Sequence, residues 1–161
     1  MQTTMIRIDF PVDLVEQVRR AHPQCPSSIE VMHHEDFGEF APLGEPFWYP
    51  DEECLAFAHG THERYVALNL NDLSVWEIDT RFGIHLKANS GLKKYSRCVS
   101  HFFAGVPYDD DFNAEEPILS DRAIELAREI DQIDPGYGDS NTFWGEFVWD
   151  VTLDMWSSSQ I

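Results

Sequence analysis

The chain has 161 residues and a mass of 18.6 kDa, which is the size of one ordinary domain and excludes two full-sized ones. Hydrophobic residues make up 43 % and aromatic residues 13 % of it, so wholesale disorder is excluded despite the net charge. That charge is −18, from 29 acidic and 11 basic residues. Because such a chain repels nucleic-acid phosphates and anionic lipid headgroups, we expect a basic protein as its partner, and neither nucleic acid nor a membrane.

The cysteines and the N-terminal segment indicate the compartment. Cys25, Cys54 and Cys98 are widely spaced, odd in number and form no C-x-x-C pair, which favours buried free thiols over a disulfide framework or a zinc site. Residues 1–7 lack a basic flank followed by an apolar run, and no stretch approaches the roughly eighteen consecutive apolar residues of a membrane-spanning helix. The sequence therefore predicts a cytoplasmic protein and leaves its oligomeric state open.

The first 50 residues carry one clear helix signal. Residues 11–21 begin with a proline, which suits a first helical turn, and hold Leu14, Val15 and Val18 at helical spacing. The prolines that follow are expected to end this helix. Residues 33–50 mix glycines and prolines with aromatic residues, which indicates an irregular packed loop with room for one short strand.

The middle of the chain predicts a sheet. Val66, Leu68 and Leu70 alternate with less apolar residues, which is typical of a strand with one strongly apolar face. The turn pairs Gly60-Thr61 and Asn71-Asp72 are too short to hold a crossover helix, so we expect an antiparallel or mixed central sheet. Four runs rich in β-forming residues make it up: residues 54–58, 64–70, 74–79 and 83–88.

Three helices are predicted after these strands. Asn89 or Ser90 is expected to cap the first, Ser120 the second, and one of residues 139–141 the third. A helix, a sheet and three further helices predict an α+β fold in a single domain over residues 1–161. The residues expected to face the core recur at helical spacing: Leu92, Tyr95, Val99, Phe102 and Phe103 in the first helix; Ala123, Ile124, Ala127 and Ile130 in the second; Trp144, Val148, Val151 and Met155 in the third.

The acidic residues are unevenly distributed. Residues 1–108 hold 15 acidic and 9 basic residues, whereas residues 109–161 hold 14 acidic and 2 basic ones. Most single carboxylates fit a solvated helix face, but helices stabilised by their own ion pairs interleave both signs, so the imbalance favours a cationic partner. The residues predicted to bind it are the loop carboxylates and one aromatic anchor: Asp109, Asp110, Asp111, Glu115, Glu116 and Trp149.

Three stretches of the second half resemble a known family. They are the hairpin at residues 65–79, the opening Ala88-Asn-Ser-Gly-Leu-Lys-Lys-Tyr95, and Ile130-Asp-Gln-Ile-Asp-Pro135 with the later Phe143-Trp144 and Asp154-Met-Trp156. Their order and spacing over about residues 64–156 are similar to the SUKH superfamily, closest to its fourth immunity branch, which is related to fungal cell-wall synthesis regulators. The resemblance implies one α+β domain without catalytic residues that binds and neutralises a cognate bacterial toxin.

Residues 59–63 form the most enzyme-like cluster. His59 and His62, followed by Glu63, could hold a divalent metal and supply a base, so a metal-dependent hydrolase is the alternative function. Gly60-Thr61 predicts a turn there, and no third ligand follows at a useful spacing. The sequence thus favours surface histidines, and we expect no catalytic residue, metal or cofactor. A cytoplasmic regulatory scaffold, as for the family's eukaryotic relatives, is the third hypothesis.

Overall fold

The computed structural model describes residues 2–34, 40–60, 62–109 and 119–158. None of the helices in these ranges is both long and apolar enough to cross a membrane. The strands are β1 (Thr4–Asp9), β2 (Ser28–His33), β3 (Pro42–Tyr49), β4 (Cys54–His59), β5 (Arg64–Asn69), β6 (Val75–Asp79) and β7 (Ile84–Asn89). The helices are α1 (Val12–Arg19), α2 (Leu92–Gly105), α3 (Asp121–Ile133) and α4 (Phe143–Thr152).

The strands form two antiparallel sheets, so the predicted α+β fold is confirmed. Strands β3 to β7 pair in chain order as one five-stranded meander, as the short connections predict. Strands β1 and β2 form a separate two-stranded sheet in which Ile8 lies opposite Ile29. The central sheet is therefore antiparallel, and the N-terminal strands add a second sheet that the sequence analysis does not contain.

Strand β3 is longer than the one short strand expected within the irregular loop predicted over residues 33–50. It runs for eight residues, and its pairing with β4 shifts register between Pro42 and Phe47. It lies at the edge of the sheet, where a proline without an N–H can be accommodated at a bulge. A full strand therefore forms in spite of its two prolines and its glycine.

One large hydrophobic core joins the two sheets to the helices. Tyr95, Val99, Phe102 and Phe103 of α2 are buried in it, as predicted, and Leu92 packs against it. Aromatic side chains fill its centre and meet mostly edge to face or tilted, as aromatic pairs prefer. The rings of Phe102 and Trp156, for example, are perpendicular at 4.9 Å between centroids. All three cysteines are buried and free.

The caps and one helix face differ from the prediction. Ser120 caps α3 as expected, since its Oγ accepts a hydrogen bond from the Ala123 N–H at 3.2 Å. Helix α2 begins after Gly91 with no side-chain cap, and Thr142, one residue beyond the predicted positions, caps α4 through the Gly145 N–H. On α3, Leu126 is buried, whereas Ile124, predicted to face the core, is 42 % exposed.

The orientation of α3 predicts losses of stability of different size for two nearby alanine substitutions. Leu126→Ala leaves a cavity in the core and is expected to lower the free energy of unfolding by about 3 kcal/mol. Ile124→Ala removes a half-exposed side chain and is expected to change it by less than about 1 kcal/mol. Urea unfolding of both variants measures the difference. Equal losses would contradict this orientation of the helix.

Two of the three stretches that resemble the SUKH superfamily meet at one buried carboxylate. Asp134, which is 1 % exposed, accepts hydrogen bonds from the Ser90 N–H (2.7 Å) and hydroxyl (2.9 Å), the Asn89 amide (3.1 Å) and the Lys94 ammonium (2.9 Å). The Asn89 Oδ1 in turn accepts from the Trp144 indole N–H at 2.9 Å. Asn89 and Ser90, expected as helix caps, therefore instead tie the end of β7 to the end of α3 and to α4.

Candidate functional site

A groove of about 680 Å³ lies between α3, α4 and the ends of β5 and β6. Its volume falls within the range of clefts that bind small molecules or protein side chains. The wall is partly apolar, through Leu119, Val148, Trp149 and Met155, and partly charged, through Arg64 and other side chains described below. Apolar area beside a few convergent charged groups is the usual composition of a recognition site.

Helix α4 brings Trp149 to this groove. The helix buries Trp144, Phe147 and Val148 in the core, and the neighbouring face carries Glu146, Trp149 and Asp150 at i, i+3 and i+4 spacing. Trp149 is 37 % exposed, whereas Trp144 is 1 % exposed. The tryptophan that the sequence analysis singled out as an interface anchor therefore lies on the groove wall.

Two further apolar side chains extend this wall. Met155 was predicted to face the core, but α4 ends at Thr152 and Asp154 takes a left-handed conformation with φ of 62°. The turn that follows leaves Met155 55 % exposed on the groove. Leu119, just before α3, is 39 % exposed on the same groove. Exposed apolar side chains gathered in one place are typical of binding surfaces.

A network of ion pairs lies at the charged side of the groove and reaches its wall through Arg64, Arg81 and Glu146. The Arg64 Nη1 contacts the Glu77 Oε1 at 3.0 Å and the Glu146 Oε2 at 2.7 Å, and its Nε lies 3.7 Å from the Asp79 Oδ2. Arg81 pairs with the same Asp79 oxygen at 3.3 Å and, through its Nε, with Glu63 at 3.1 Å. Four carboxylates thus surround two guanidinium groups, and the network is net negative.

Burial makes this network depend on its arginines. The side chains of Glu77 and Asp79 are only 2 % and 3 % exposed, because β6 points them toward the helices, and carboxylates this buried require a cation. Burial alone would lower the pKa of Arg64, but Glu77 and Glu146 raise it. Burial would likewise raise the pKa of Asp79, yet hydrogen bonds from Arg81 hold it below its ordinary value.

Gly60 allows the link between β4 and β5 to pack over the network. A Cβ at this position would collide with the Glu77 carboxylate. The Gly60 N–H also donates to the Arg64 carbonyl at 2.9 Å, which places this backbone beside the arginine. The glycine that the sequence analysis read as a turn residue is therefore also required by the close approach of a buried charge.

The predicted acidic loop is described only at its first residue. Asp109 is exposed, and its carboxylate accepts hydrogen bonds from the Ser158 N–H at 2.8 Å and hydroxyl at 2.5 Å, which lower its pKa. It therefore links the chain after α2 to the chain after α4. The other predicted loop residues lie outside the described residues, and their role stays a prediction: Asp110, Asp111, Glu115 and Glu116.

The histidine cluster proposed for a hydrolase lies at the link between β4 and β5, two interior strands of the five-stranded sheet. His59 is exposed at the end of β4, and His62 and Glu63 take left-handed conformations in the link to β5, not a helix. The Glu63 carboxylate pairs with Arg81. Within residues 2–34, 40–60, 62–109 and 119–158, no three His, Cys, Asp or Glu side chains are grouped to hold a metal ion. His62 also lines the groove, beside Arg64 and Arg81. The hydrolase alternative stays a prediction.

Sequence analysis missed the ion-pair network, although one signal for it was present. Glu77 and Asp79 occupy alternate positions with Val75 in β6, so all three share one strand face. Two carboxylates on the face that packs against helices require cations nearby. The strand itself does not show which cations compensate these carboxylates, because Arg64 comes from the neighbouring strand β5 and Arg81 from the turn after β6.

No family model, curated protein or solved structure matches this chain. The resemblance to the SUKH superfamily therefore stays a prediction from the three stretches quoted above. What the protein does has to be inferred from its own groove, its charges and that resemblance.

Proposed function

We propose that this protein binds a basic partner protein through the α4 groove and neutralises it by occlusion, without chemistry of its own. The observation that carries this proposal is the groove wall, where Trp149 and Met155 are exposed beside a net negative ion-pair network. A large apolar side chain next to charged groups is the arrangement in which a few residues supply most of the binding energy of an interface.

The charge of the whole chain supports a cationic partner. At −18 it generates a field that attracts basic proteins, and opposite charge can raise association rates to about 10⁸ M⁻¹s⁻¹ or more at low salt. In this scheme the charge brings the partner to the groove, and burial of Trp149 then slows its dissociation. The arginines of the groove do not reverse this preference, because Arg64 and Arg81 are already surrounded by carboxylates.

The resemblance to the SUKH immunity proteins supplies the class of partner. On that basis the partner is a bacterial toxin. The protein acts in the cytoplasm as a stoichiometric inhibitor that covers the surface through which the toxin acts. Such an inhibitor needs a complementary surface, of which about 1,600 Å² in total is the usual size, and it needs no catalytic residue. No metal or cofactor enters this scheme.

Co-expression tests the proposal. The basic protein encoded next to this chain is expected to be toxic alone and harmless when the chain is produced with it. The purified pair is expected to associate at least about tenfold more slowly at 0.15 M than at 0.01 M salt, because screening shortens the reach of the charges from roughly 30 Å to roughly 8 Å. Persistent toxicity with both proteins present at equal amounts would contradict the proposal, and a rate independent of salt would remove its electrostatic part.

A further inference from the structure

We infer that the groove contains a subsite for one arginine side chain of the partner, stacked on Trp149 and paired with Glu146. This inference rests on the proposed function, since it names the side chain that the groove would recognise. It is carried by the placement of a half-exposed indole and a half-exposed carboxylate one helical turn apart on the same wall.

The carboxylate of Glu146 is available to a second cation. Its side chain is 40 % exposed, and Arg64 contacts it through Oε2 alone. In the part of the chain that the structure describes, Oε1 accepts no hydrogen bond. Arg64 holds the Glu146 side chain at the groove wall, so little side-chain entropy remains to be lost when a ligand pairs with the other oxygen.

The face of Trp149 is available as well. Among the residues that the structure describes, three aromatic rings carry a cation: Phe82 carries Arg81 at 5.0 Å, Trp76 carries Lys87 at 5.5 Å and Tyr108 carries Arg122 at 4.9 Å. Among the described residues, no cation and no other ring lies over Trp149. An exposed indole is the best aromatic acceptor of a cation, so the face of Trp149 suits a cation of the partner.

The chemistry selects arginine over other side chains. A guanidinium group can stack flat on the indole and donate two parallel hydrogen bonds to a carboxylate, which the compact ammonium of lysine cannot do. An anionic side chain is disfavoured, because Glu63, Glu77, Asp79 and Glu146 outnumber Arg64 and Arg81 in the network behind the wall. Met155 and Leu119 offer apolar contacts for the residues that flank the arginine.

Nuclear magnetic resonance on the full ¹⁵N-labelled chain tests this subsite with acetylated Leu-Arg-Leu amide as the probe. We expect a saturable shift of the Trp149 indole N–H, which Trp149→Phe identifies. The same peptide with citrulline, a neutral isostere of arginine, is expected to bind at least about tenfold more weakly, and the lysine peptide more weakly than the arginine one. Glu146→Gln is expected to reduce arginine binding to the citrulline level, whereas the exposed Glu16→Gln on α1 should leave it unchanged.

Three results of the peptide experiment would contradict the subsite. Equal binding of citrulline would show that no cation is recognised, and equal or tighter binding of lysine would show that guanidinium is not selected. Shifts spread along the acidic helices without saturation at Trp149 would overturn the site itself. Thermal unfolding of Glu146→Gln checks its fold, and Trp149→Leu gives a second variant that leaves the ion pairs intact. Loss of this subsite with toxin neutralisation retained would overturn this inference alone, whereas peptide binding without neutralisation would overturn only the proposed function.

Discussion

Replacing Arg64 by leucine is expected to lower the free energy of unfolding by about 3 kcal/mol, because it leaves the Glu77 carboxylate buried at 2 % exposure without its cation. Urea unfolding of the variant measures this loss. Arg7→Leu is the matched control, since Arg7 pairs with Asp9 at a surface where both side chains are more than half exposed, and it is expected to leave stability unchanged.

The cause of that loss can be isolated in a double-mutant cycle. In a Glu77→Gln background no buried negative charge is left behind, so Arg64→Leu is expected to cost at least about 1 kcal/mol less than it does in the wild-type chain. If the two backgrounds give equal losses, Arg64 stabilises the fold through packing and not by compensating the buried charge.

Asp134→Ala is expected to destabilise the fold by at least about 3 kcal/mol. The substitution removes the acceptor of the Ser90 N–H, the Asn89 amide and the Lys94 ammonium, and the Asn89 side chain is fully buried. Urea unfolding checks it, with the exposed Glu16→Ala on α1 as a control that is expected to change stability by less than about 0.5 kcal/mol. A loss for Asp134→Ala no larger than that of the control would contradict the structural role of this network.

The same carboxylate predicts how stability depends on pH. Burial alone would raise the pKa of Asp134, but the hydrogen bonds from Ser90, Lys94 and Asn89 hold it below its ordinary value of 3.8. Its contribution is therefore complete above about pH 5, where the unfolded carboxyl is ionised, and it is lost as the pH falls through the lowered folded-state pKa. Asp134→Asn, which cannot ionise, is expected to lose stability less steeply than the wild type over this acid range in unfolding titrations.

The local parts of the fold could be predicted from sequence because short-range patterns decide them. Alternation in β5 and the two-residue turns predicted the meander, and the spacing of Tyr95, Val99 and Phe102 predicted the buried face of α2. In β2 the apolar Ile29 and Val31 alternate with the polar Ser28 and Glu30, which is the pattern of a half-buried strand, and both apolar side chains are buried. The sequence of β1 carries a weaker strand signal, because Ile8 is the one fully buried side chain among its six residues.

The errors at Ile124 and Met155 have different causes. Ile124 and Leu126 are both apolar at positions compatible with helical spacing, so the buried face of α3 depends on which neighbour the helix packs against. Met155 continues the apolar spacing of α4, but the helix ends at Thr152 and the left-handed conformation of Asp154 turns the chain before Met155. Tertiary packing therefore decides which face of α3 is buried, and the backbone conformation of Asp154 decides that Met155 lies outside the core.

The candidate site was predictable only in part. Trp149 could be identified because Trp144 and Val148 define the buried face of α4, and a tryptophan off that face has to lie toward solvent. The groove itself is assembled from residues separated by up to 93 positions, from His62 to Met155, and no sequence pattern joins them. The ion pairs among Arg64, Glu77 and Glu146 likewise depend on the packing of α4 against the sheet.

The binding role of the groove is tested by an affinity measurement. The purified wild type, Trp149→Ala and Trp76→Ala are each titrated with the basic partner. Both tryptophans are partly exposed, but Trp149 lies on the groove and Trp76 on the opposite face of the sheet. The account predicts that Trp149→Ala weakens binding by at least about 2 kcal/mol, roughly thirtyfold, while Trp76→Ala leaves it within about threefold of the wild type. Equal affinities for the two variants, or a larger loss for Trp76→Ala, would contradict it.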